Sequence, residues 1–330
     1  MYRKLALFTA CLAFLVVVVG AYVRLMDAGL GCPDWPGCYG ELTPHHAADD
    51  IAKAVAQQGG TEGPVSLPKA WKEMVHRYLA GTLGLLILSL AVWTWRSDGE
   101  PKRSRFLASS LVVLVALQAA LGMWTVTMLL KPVIVSLHLL GGMATLALLS
   151  WLALRAWPQA NGRPPAHARG LHYAAILGLL ILVAQIALGG WVSTNYAALA
   201  CIDFPTCHGT WAPDMDFHHG FQLVRELGMT AAGTHLAYEA LTAIHWTHRV
   251  GALVTFIYLG ALGLAVLRTP GIRGTGAVLL IALCGQIALG VTNIVAGLPL
   301  PIAVAHNAVA ALLLVLLVVL NFRLFQKVSA

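Results

Sequence analysis

Long apolar runs separated by shorter polar stretches make up most of the chain. Eight runs reach the ~20 residues that a helix needs to cross a hydrocarbon core of about 30 Å. They lie near residues 5–26, 72–95, 106–130, 133–154, 172–194, 243–267, 276–297 and 302–321. Two long polar stretches, roughly 27–71 and 195–242, interrupt the pattern. The pattern predicts an all-α polytopic membrane protein with eight transmembrane helices and two large loops.

The composition agrees with this class. Of the 330 residues, 58% are hydrophobic and 11% are charged, and the mean hydropathy is +0.76. Soluble domains carry about 25% charged residues, so a soluble protein is excluded. The formal net charge of +7 reflects membrane topology here. We therefore expect contact with membrane lipid and no nucleic-acid partner.

Lysine and arginine positions predict the orientation. With the N-terminus inside, 13 of these residues fall on the inner side and 8 on the outer side, as the positive-inside rule requires. We expect a multi-pass protein of a bacterial-type cytoplasmic membrane, with both termini cytoplasmic and both long loops outside. The first run resembles a signal peptide, but its apolar stretch is too long for a typical signal core, and we expect it to be retained.

The two halves of the sequence repeat at a nearly constant offset. Cys32 and Cys38 recur 169 residues later as Cys201 and Cys207. Further matches at offsets of 168 to 172 pair Gly20 with Gly189, Gln118 with Gln286, His138 with His306, and His76-Arg77 with His248-Arg249. With four spans in each half, the copies share one orientation. We predict two pseudo-symmetric parallel four-helix bundles, residues 1–160 with the outer loop 27–71 and residues 161–330 with the outer loop 195–242.

The two cysteine pairs lie in the predicted outer loops. An exoplasmic compartment is oxidising, which favours a disulfide in each pair. Five residues separate the cysteines of each pair, whereas a zinc site favours a closer C-x2–4-C spacing with a second pair of ligands. Disulfides are the favoured interpretation, and free thiols are the alternative.

Four of the repeated residues are histidines near the outer ends of spanning helices. His76 and His138 lie on the second and fourth helices of the first half, which run parallel, so their side chains can face each other. The second half offers the same pair in His248 and His306. Facing imidazoles in a helical bundle can ligate haem iron from both sides. The alternative is that these side chains form hydrogen bonds between helices.

Three arginines at the outer helix ends accompany the histidines. Arg77 and Arg249 directly follow His76 and His248, and Arg24 ends the first helix. The planar guanidinium group suits the carboxylates of haem propionates, which predicts a cofactor-binding role. The alternative is that each arginine reaches out to lipid phosphates.

The halves differ three residues before the first histidine of each pair. Glu73 precedes His76, whereas His245 precedes His248. Residues at this spacing share a helix face. A carboxylate beside one porphyrin and not the other predicts that proton or carbocation chemistry occurs in the first half, with Glu73 as the catalytic residue. The alternative is a glutamate near the interface that is paired with Lys72 or Arg77.

These motifs together resemble the haem A synthase family across nearly the whole chain. The resemblance rests on the duplicated four-helix halves, Glu73-x-x-His76-Arg77, the other three histidines and the first outer loop, Gly29-Leu-Gly-Cys-Pro-Asp-Trp-Pro-x-Cys38. It implies an enzyme that oxidises the C8 methyl of haem O to the formyl of haem A, by successive hydroxylations, for the terminal cytochrome oxidase.

The resemblance also implies a role for each half. His248 and His306 would bind a haem b that relays electrons, and the first half would hold haem O as substrate and haem A as product. Haem O synthase and an electron donor are the implied partners, and the chain is compatible with a homo-oligomer.

Two other functions fit part of the pattern. A non-catalytic di-haem b-type electron-transfer cytochrome would explain the histidine pairs, but not Glu73. A transporter would explain the repeat, but such proteins place helix breaks and polar residues near the membrane midplane, whereas the polar residues of this chain lie at the outer edge.

Overall fold

All the secondary-structure elements in the described part of the chain are helices. The computed structural model describes residues 1–99, 104–157 and 169–325. The long helices are α1 (Tyr2–Leu25), α3 (Leu67–Arg96), α4 (Arg105–Thr127), α5 (Pro132–Ala156), α6 (Arg169–Thr194), α8 (Tyr238–Leu267), α9 (Arg273–Val295) and α10 (Leu300–Phe325). Two short helices, α2 (Ala48–Gln57) and α7 (Phe217–Gly220), lie in the long loops. The eight long helices are each apolar enough to cross a membrane, which confirms the predicted all-α class and the eight spans.

The helices that follow the long loops begin about five residues before their apolar runs. At the start of α3, the Ser66 hydroxyl accepts a hydrogen bond from the Lys69 N–H at 3.4 Å, and Pro68 occupies the first turn, where its missing N–H leaves no bond unmade. A helix of 30 residues is about 45 Å long, so its first turns extend beyond the core of the membrane. His76 therefore lies about two and a half turns into α3, deeper along the helix than the single turn that the apolar pattern predicts.

Each set of four long helices packs in the same cyclic order. In the first set, α1 packs on α3, α3 on α4, α4 on α5, and α5 back on α1. The second set repeats this order with α6, α8, α9 and α10. The two sets meet where α10 contacts α1 and α5, and where α5 contacts α6.

One apolar core runs through both sets of helices. Its buried side chains include Ala6 on α1, Leu149 on α5 and Leu320 on α10, all fully enclosed. Trp151 of α5 also meets Phe322 of α10 edge to face, with ring centroids 5.0 Å apart. Because the apolar burial is shared across the boundary, the two sets are held as one body.

Candidate functional site

Each repeated histidine packs its ring against a glycine of the neighbouring helix. A Cβ built on the glycine would lie within 3.3 Å of the imidazole Cε1 in all four cases: 2.9 Å for Gly20 and His76, 3.3 Å for Gly122 and His138, 3.0 Å for Gly189 and His248, and 3.1 Å for Gly290 and His306. A real Cβ is rarely so close to another heavy atom. Glycine is therefore needed for each ring to lie where it does, and we call these four residues the seat glycines.

The histidines of each expected pair lie on opposite helices of one four-helix set, with His76 on α3 across from His138 on α5, and His248 on α8 across from His306 on α10. Each ring packs on a helix that lies between the two, since the seat glycines are on α1, α4, α6 and α9. All four side chains are half-buried.

The histidine pairs suit a metal that already carries most of its ligands when it binds. The buried Nδ1 atoms of His76, His138 and His306 have no hydrogen-bond partner within the described residues, and a buried polar atom without a partner is costly. No group of three or more histidine, cysteine, aspartate or glutamate side chains in the described ranges could hold a bare metal ion. Two imidazoles, however, are sufficient to ligate the iron of a haem, whose macrocycle supplies the other four ligands.

Glutamines lie beside the histidines of the second pair. The Gln185 amide on α6 lies 3.0 Å from Nδ1 of His248 and donates through Nε2 to the His248 backbone carbonyl, also at 3.0 Å. The Gln286 amide on α9 lies 3.1 Å from Nε2 of His306. These contacts correspond in part to the alternative raised by the sequence, hydrogen bonds between helices, and only Gln286 uses the ring nitrogen that commonly ligates haem iron.

Glu73 contacts the first outer loop. Cys32 and Cys38 form a disulfide, and the segment 32–38, with its counterpart 201–207, is called a disulfide loop below. The Glu73 carboxylate is buried, accepts the Cys32 N–H at 3.0 Å, and pairs with the Arg77 guanidinium at 2.5 Å. The salt bridge to Arg77 that the sequence offered as an alternative is therefore present, and it lies one turn from His76.

Arg77 and Arg249 each bind the backbone of a disulfide loop. Arg77 donates to the carbonyls of Asp34 at 2.7 Å and Cys32 at 3.3 Å. Arg249 donates to Cys201 at 2.6 Å and to Asp203 and Thr206, both at 2.8 Å. The loops are thus fastened to α3 and α8 beside the histidines, and a propionate-binding role for these arginines stays a prediction.

His245 takes the place of Glu73 in the second half. Cys201 and Cys207 form the second disulfide, and the Cys201 N–H donates to Nδ1 of His245 at 3.2 Å. Arg249 approaches the other ring nitrogen at 3.4 Å. In both halves a side chain therefore accepts the N–H of the first cysteine of the loop. The acceptor is the Glu73 carboxylate in the first half and the His245 imidazole in the second.

An aspartate shapes the turn of each disulfide loop. Asp34 accepts the N–H groups of Tyr39 at 2.6 Å and Gly40 at 2.7 Å. Asp203 accepts those of Gly209 at 2.9 Å and His208 at 2.7 Å. The Gly209 N–H, the Thr206 hydroxyl and the His208 N–H hold the pKa of Asp203 well below its ordinary value. The charge that organises this loop therefore persists at acidic pH.

Arg24 joins the two halves at their outer ends. It donates to the Tyr196 hydroxyl at 2.6 Å and to the Ser193 carbonyl at 2.8 Å, and its guanidinium carbon lies 4.1 Å from the centre of the Tyr196 ring. The Tyr196 hydroxyl donates to Asp27 at 2.7 Å. Tyr196 did not emerge as a candidate from the sequence, although it is the repeat counterpart of Asp27.

A second contact between the halves lies next to two of the histidines. Leu139, which follows His138 on α5, packs its Cδ2 where a Cβ of Gly190 would be, 2.7 Å away. Gly190 on α6 follows Gly189, the seat glycine of His248. The two candidate sites thus approach each other through the Leu139 side chain and the Gly190 backbone.

The sequence matches known proteins along nearly its full length. Residues 3–318 match a family described as cytochrome oxidase assembly protein. The chain is 40% identical over 322 residues to the heme A synthase of Shewanella oneidensis, covering 98% of this chain and 96% of that protein. It is 28% identical over 279 residues to the heme A synthase of Bacillus licheniformis, with 80% and 85% covered. It is 29% identical over 329 residues to that of Rhizorhabdus wittichii, with 93% and 89% covered. The chain therefore belongs to the cytochrome oxidase assembly protein family.

Proposed function

We propose that this chain is a haem A synthase, which oxidises the C8 methyl of haem O to the formyl group of haem A in the membrane. The observation that carries the proposal is the pair of bis-imidazole sites on membrane-spanning helices, with ring nitrogens that lack protein partners. Family membership and the names of the relatives favour this enzyme over an electron-transfer cytochrome. Its product would serve the maturation of cytochrome oxidase.

The two halves serve different haems in this proposal. His248 and His306 in residues 161–330 hold haem b, and His76 and His138 in residues 1–160 hold haem O. A bound haem supplies one-electron redox chemistry at its iron, while the protein positions it and excludes water. The division is supported by the one carboxylate at the equivalent positions, since Glu73 is present beside the first pair and His245 beside the second.

Glu73 is the residue that we propose to accept a proton during oxidation of the methyl group. Its carboxylate is fixed on one side by the Cys32 N–H and on the other by Arg77. This pairing keeps a negative charge on a buried carboxylate one helical turn from His76, where burial alone would favour the neutral acid. Haem O synthase as the supplier of substrate and an electron donor on the membrane are the proposed partners. Each hydroxylation removes two electrons from the methyl carbon, so the reaction also needs an external oxidant.

The test is the haem content of the purified protein, produced with and without a supply of haem O. We expect haem b in both cases and haem O or haem A as well when the supply is present. The variant His248→Ala should lose the b-type optical signal. A colourless wild-type protein, or an unchanged spectrum in His248→Ala, would contradict the haem assignment.

The role of Glu73 needs a variant that keeps its hydrogen bond to the loop. In Glu73→Gln the amide oxygen can still accept the Cys32 N–H, whereas the charge is lost. We expect haem b to stay bound and haem A formation to fall at least about 100-fold, the size of effect that general acid–base groups commonly have. Normal conversion by Glu73→Gln, measured by haem extraction and chromatography, would exclude Glu73 as the proton acceptor.

A further inference from the structure

The four histidine sites differ at the residue that lies one turn before each seat glycine. A glutamine stands there in three sites, as Gln118 before Gly122, Gln185 before Gly189 and Gln286 before Gly290. The site of His76 has Val16 before Gly20 instead. Residues four apart on a helix share one face, so this side chain lies on the same face as the seat and beside the histidine.

The difference extends to the residue three positions after the histidine. Next to His248 this residue is Gly251, and a Cβ there would collide with Oε1 of Gln185. Next to His76 it is Leu79, which packs against the apolar core that includes Val16. The site of His248 therefore leaves room for a polar amide where the site of His76 is filled with hydrocarbon.

The contact of Gln185 is compatible with a metal on His248. The amide lies beside Nδ1 and leaves Nε2, the opposite ring nitrogen, without this neighbour. When Nε2 binds iron, the ring proton resides on Nδ1 and needs an acceptor. The Oε1 atom of Gln185 is buried without a partner among the described residues. A turn of the amide would therefore supply that acceptor, in exchange for the hydrogen bond that Nε2 donates to the His248 carbonyl.

The described residues offer His76 no such hydrogen bond. Its Nδ1 is buried without a partner, as are those of His138 and His306, and the neighbouring Val16 and Leu79 carry no polar group that could provide one. A hydrogen bond to the second ring nitrogen fixes the orientation of a ligating histidine and raises its basicity. His76 must therefore hold a metal without this support.

We propose that, at the equivalent sites on α1 and α6, the residue four positions before the seat glycine decides whether the paired histidine is a fixed or an exchangeable ligand, so that Gln185 fixes His248 on haem b and Val16 leaves His76 able to release haem O. The inference rests on the proposed function, since it needs haem in both halves. It assigns Gln185 as a positioning residue that touches the ligand and not the haem. An exchangeable ligand suits the first half, where substrate must enter and product must leave, whereas haem b must stay.

The experiment measures carbon monoxide binding to reduced haem b in protein made without haem O. Carbon monoxide can bind only where a histidine has left the iron, so its apparent affinity reports the fraction of released ligand. Loss of an outer hydrogen bond to a ligating histidine typically weakens binding by about 10–100-fold. We therefore expect Gln185→Val to raise the apparent affinity for carbon monoxide at least about tenfold over wild type, and to raise the midpoint potential of haem b because the ligand becomes less basic.

A second variant disturbs the contact of Gln185 with His248 without changing Gln185 itself. Gly251→Ala keeps Gln185 but places a methyl group on its amide, and it should reproduce the gain in carbon monoxide binding. Gln118→Val makes the same substitution at a glutamine of the first half, four residues before the seat glycine of His138, and the spectrum, potential and carbon monoxide binding of haem b should be those of wild type. If Gln185→Val keeps the wild-type potential and carbon monoxide affinity, the inference is wrong.

The reciprocal change tests the first half. In protein made with haem O, Val16→Gln combined with Leu79→Gly recreates the arrangement of the second half, and carbon monoxide binding to haem O should fall at least about tenfold. Unchanged binding would contradict the role given to Val16. A wild-type protein without haem b would overturn the proposed function as well, whereas normal haem b with no effect of Gln185→Val would overturn this inference alone.

Discussion

At the scale of the residue, a missing Cβ positions each imidazole. His248 contacts two neighbours on one face of α6, the backbone of Gly189 and the Gln185 amide, whose nitrogen lies 3.0 Å from Nδ1. An added methyl group at Gly189 would push the ring from its present position, because interiors packed at this density yield little. The seat glycines thus set where each ring lies.

We predict that Gly189→Ala lowers the haem b content of the purified protein about tenfold, as expected when a ligating histidine loses its orientation. The added Cβ would lie 3.0 Å from Cε1 of His248, and the ring must tilt to relieve the contact. Optical quantification of haem per protein is the measurement. Gly260→Ala is the matched control, since a Cβ at this α8 position meets nothing within 4 Å. Equal haem contents in the two variants would show that the seat is not needed.

The sequence predicts the histidines but not their seats. His76, His138, His248 and His306 stand out because ionisable residues are rare in apolar helices and these recur at a fixed offset. Gly20 and Gly189 recur as well, but glycine is common wherever membrane helices pack closely, so the pattern alone does not assign them a partner. Which ring a glycine faces depends on the rotation of two helices, and this is fixed by contacts between the helices.

At the scale of the element, α3 and α8 hold the disulfide loops. Both helices are 30 residues long and extend beyond the membrane core, so Arg77 and Arg249 lie within reach of the loops. The hydropathy pattern misses these first turns because Leu67 to Trp71 of α3 include a proline and a lysine. Helix formation there depends on the Ser66 cap and on loop contacts, which hydropathy does not measure.

We predict that Arg249→Lys loosens the second disulfide loop while leaving its disulfide intact. A lysine ammonium cannot reach the three carbonyls that Arg249 binds, and the loss of a hydrogen bond from a charged group costs about 2 kcal/mol. Opening of the loop would then be about 30-fold more frequent. Amide hydrogen exchange at Cys207 and Thr210, which bond to each other's carbonyls, measures this. Arg268→Lys, at the far end of α8, serves as the control, and equal exchange in both variants would contradict the prediction.

At the scale of the whole molecule, polar contacts at the outer ends join halves that share an apolar core. Tyr196 is central to these contacts because its hydroxyl accepts from Arg24 and donates to Asp27. Burial and the hydrogen bond to Asp27 raise the pKa of Tyr196, against the opposing effect of Arg24. The phenol therefore remains protonated and able to donate throughout the neutral range.

We predict that Tyr196→Phe destabilises the folded protein by about 0.5–1 kcal/mol, because the bonds of its hydroxyl to Arg24 and Asp27 are exposed to solvent. The ring and its contact with Arg24 remain, so the change isolates the hydroxyl. A lower midpoint of thermal unfolding in detergent is the expected result. Tyr173→Phe, at an exposed position on α6, should unfold like wild type. If both variants match wild type, these contacts do not hold the halves together.

The contact between Leu139 and Gly190 limits which residues can replace Gly190. It lies one residue from His138 and one residue from the seat glycine of His248, so helix packing at this point helps to set the separation of the two proposed haem sites. A methyl group added at Gly190 would collide with Leu139 and would change the distance that an electron would cross between these sites.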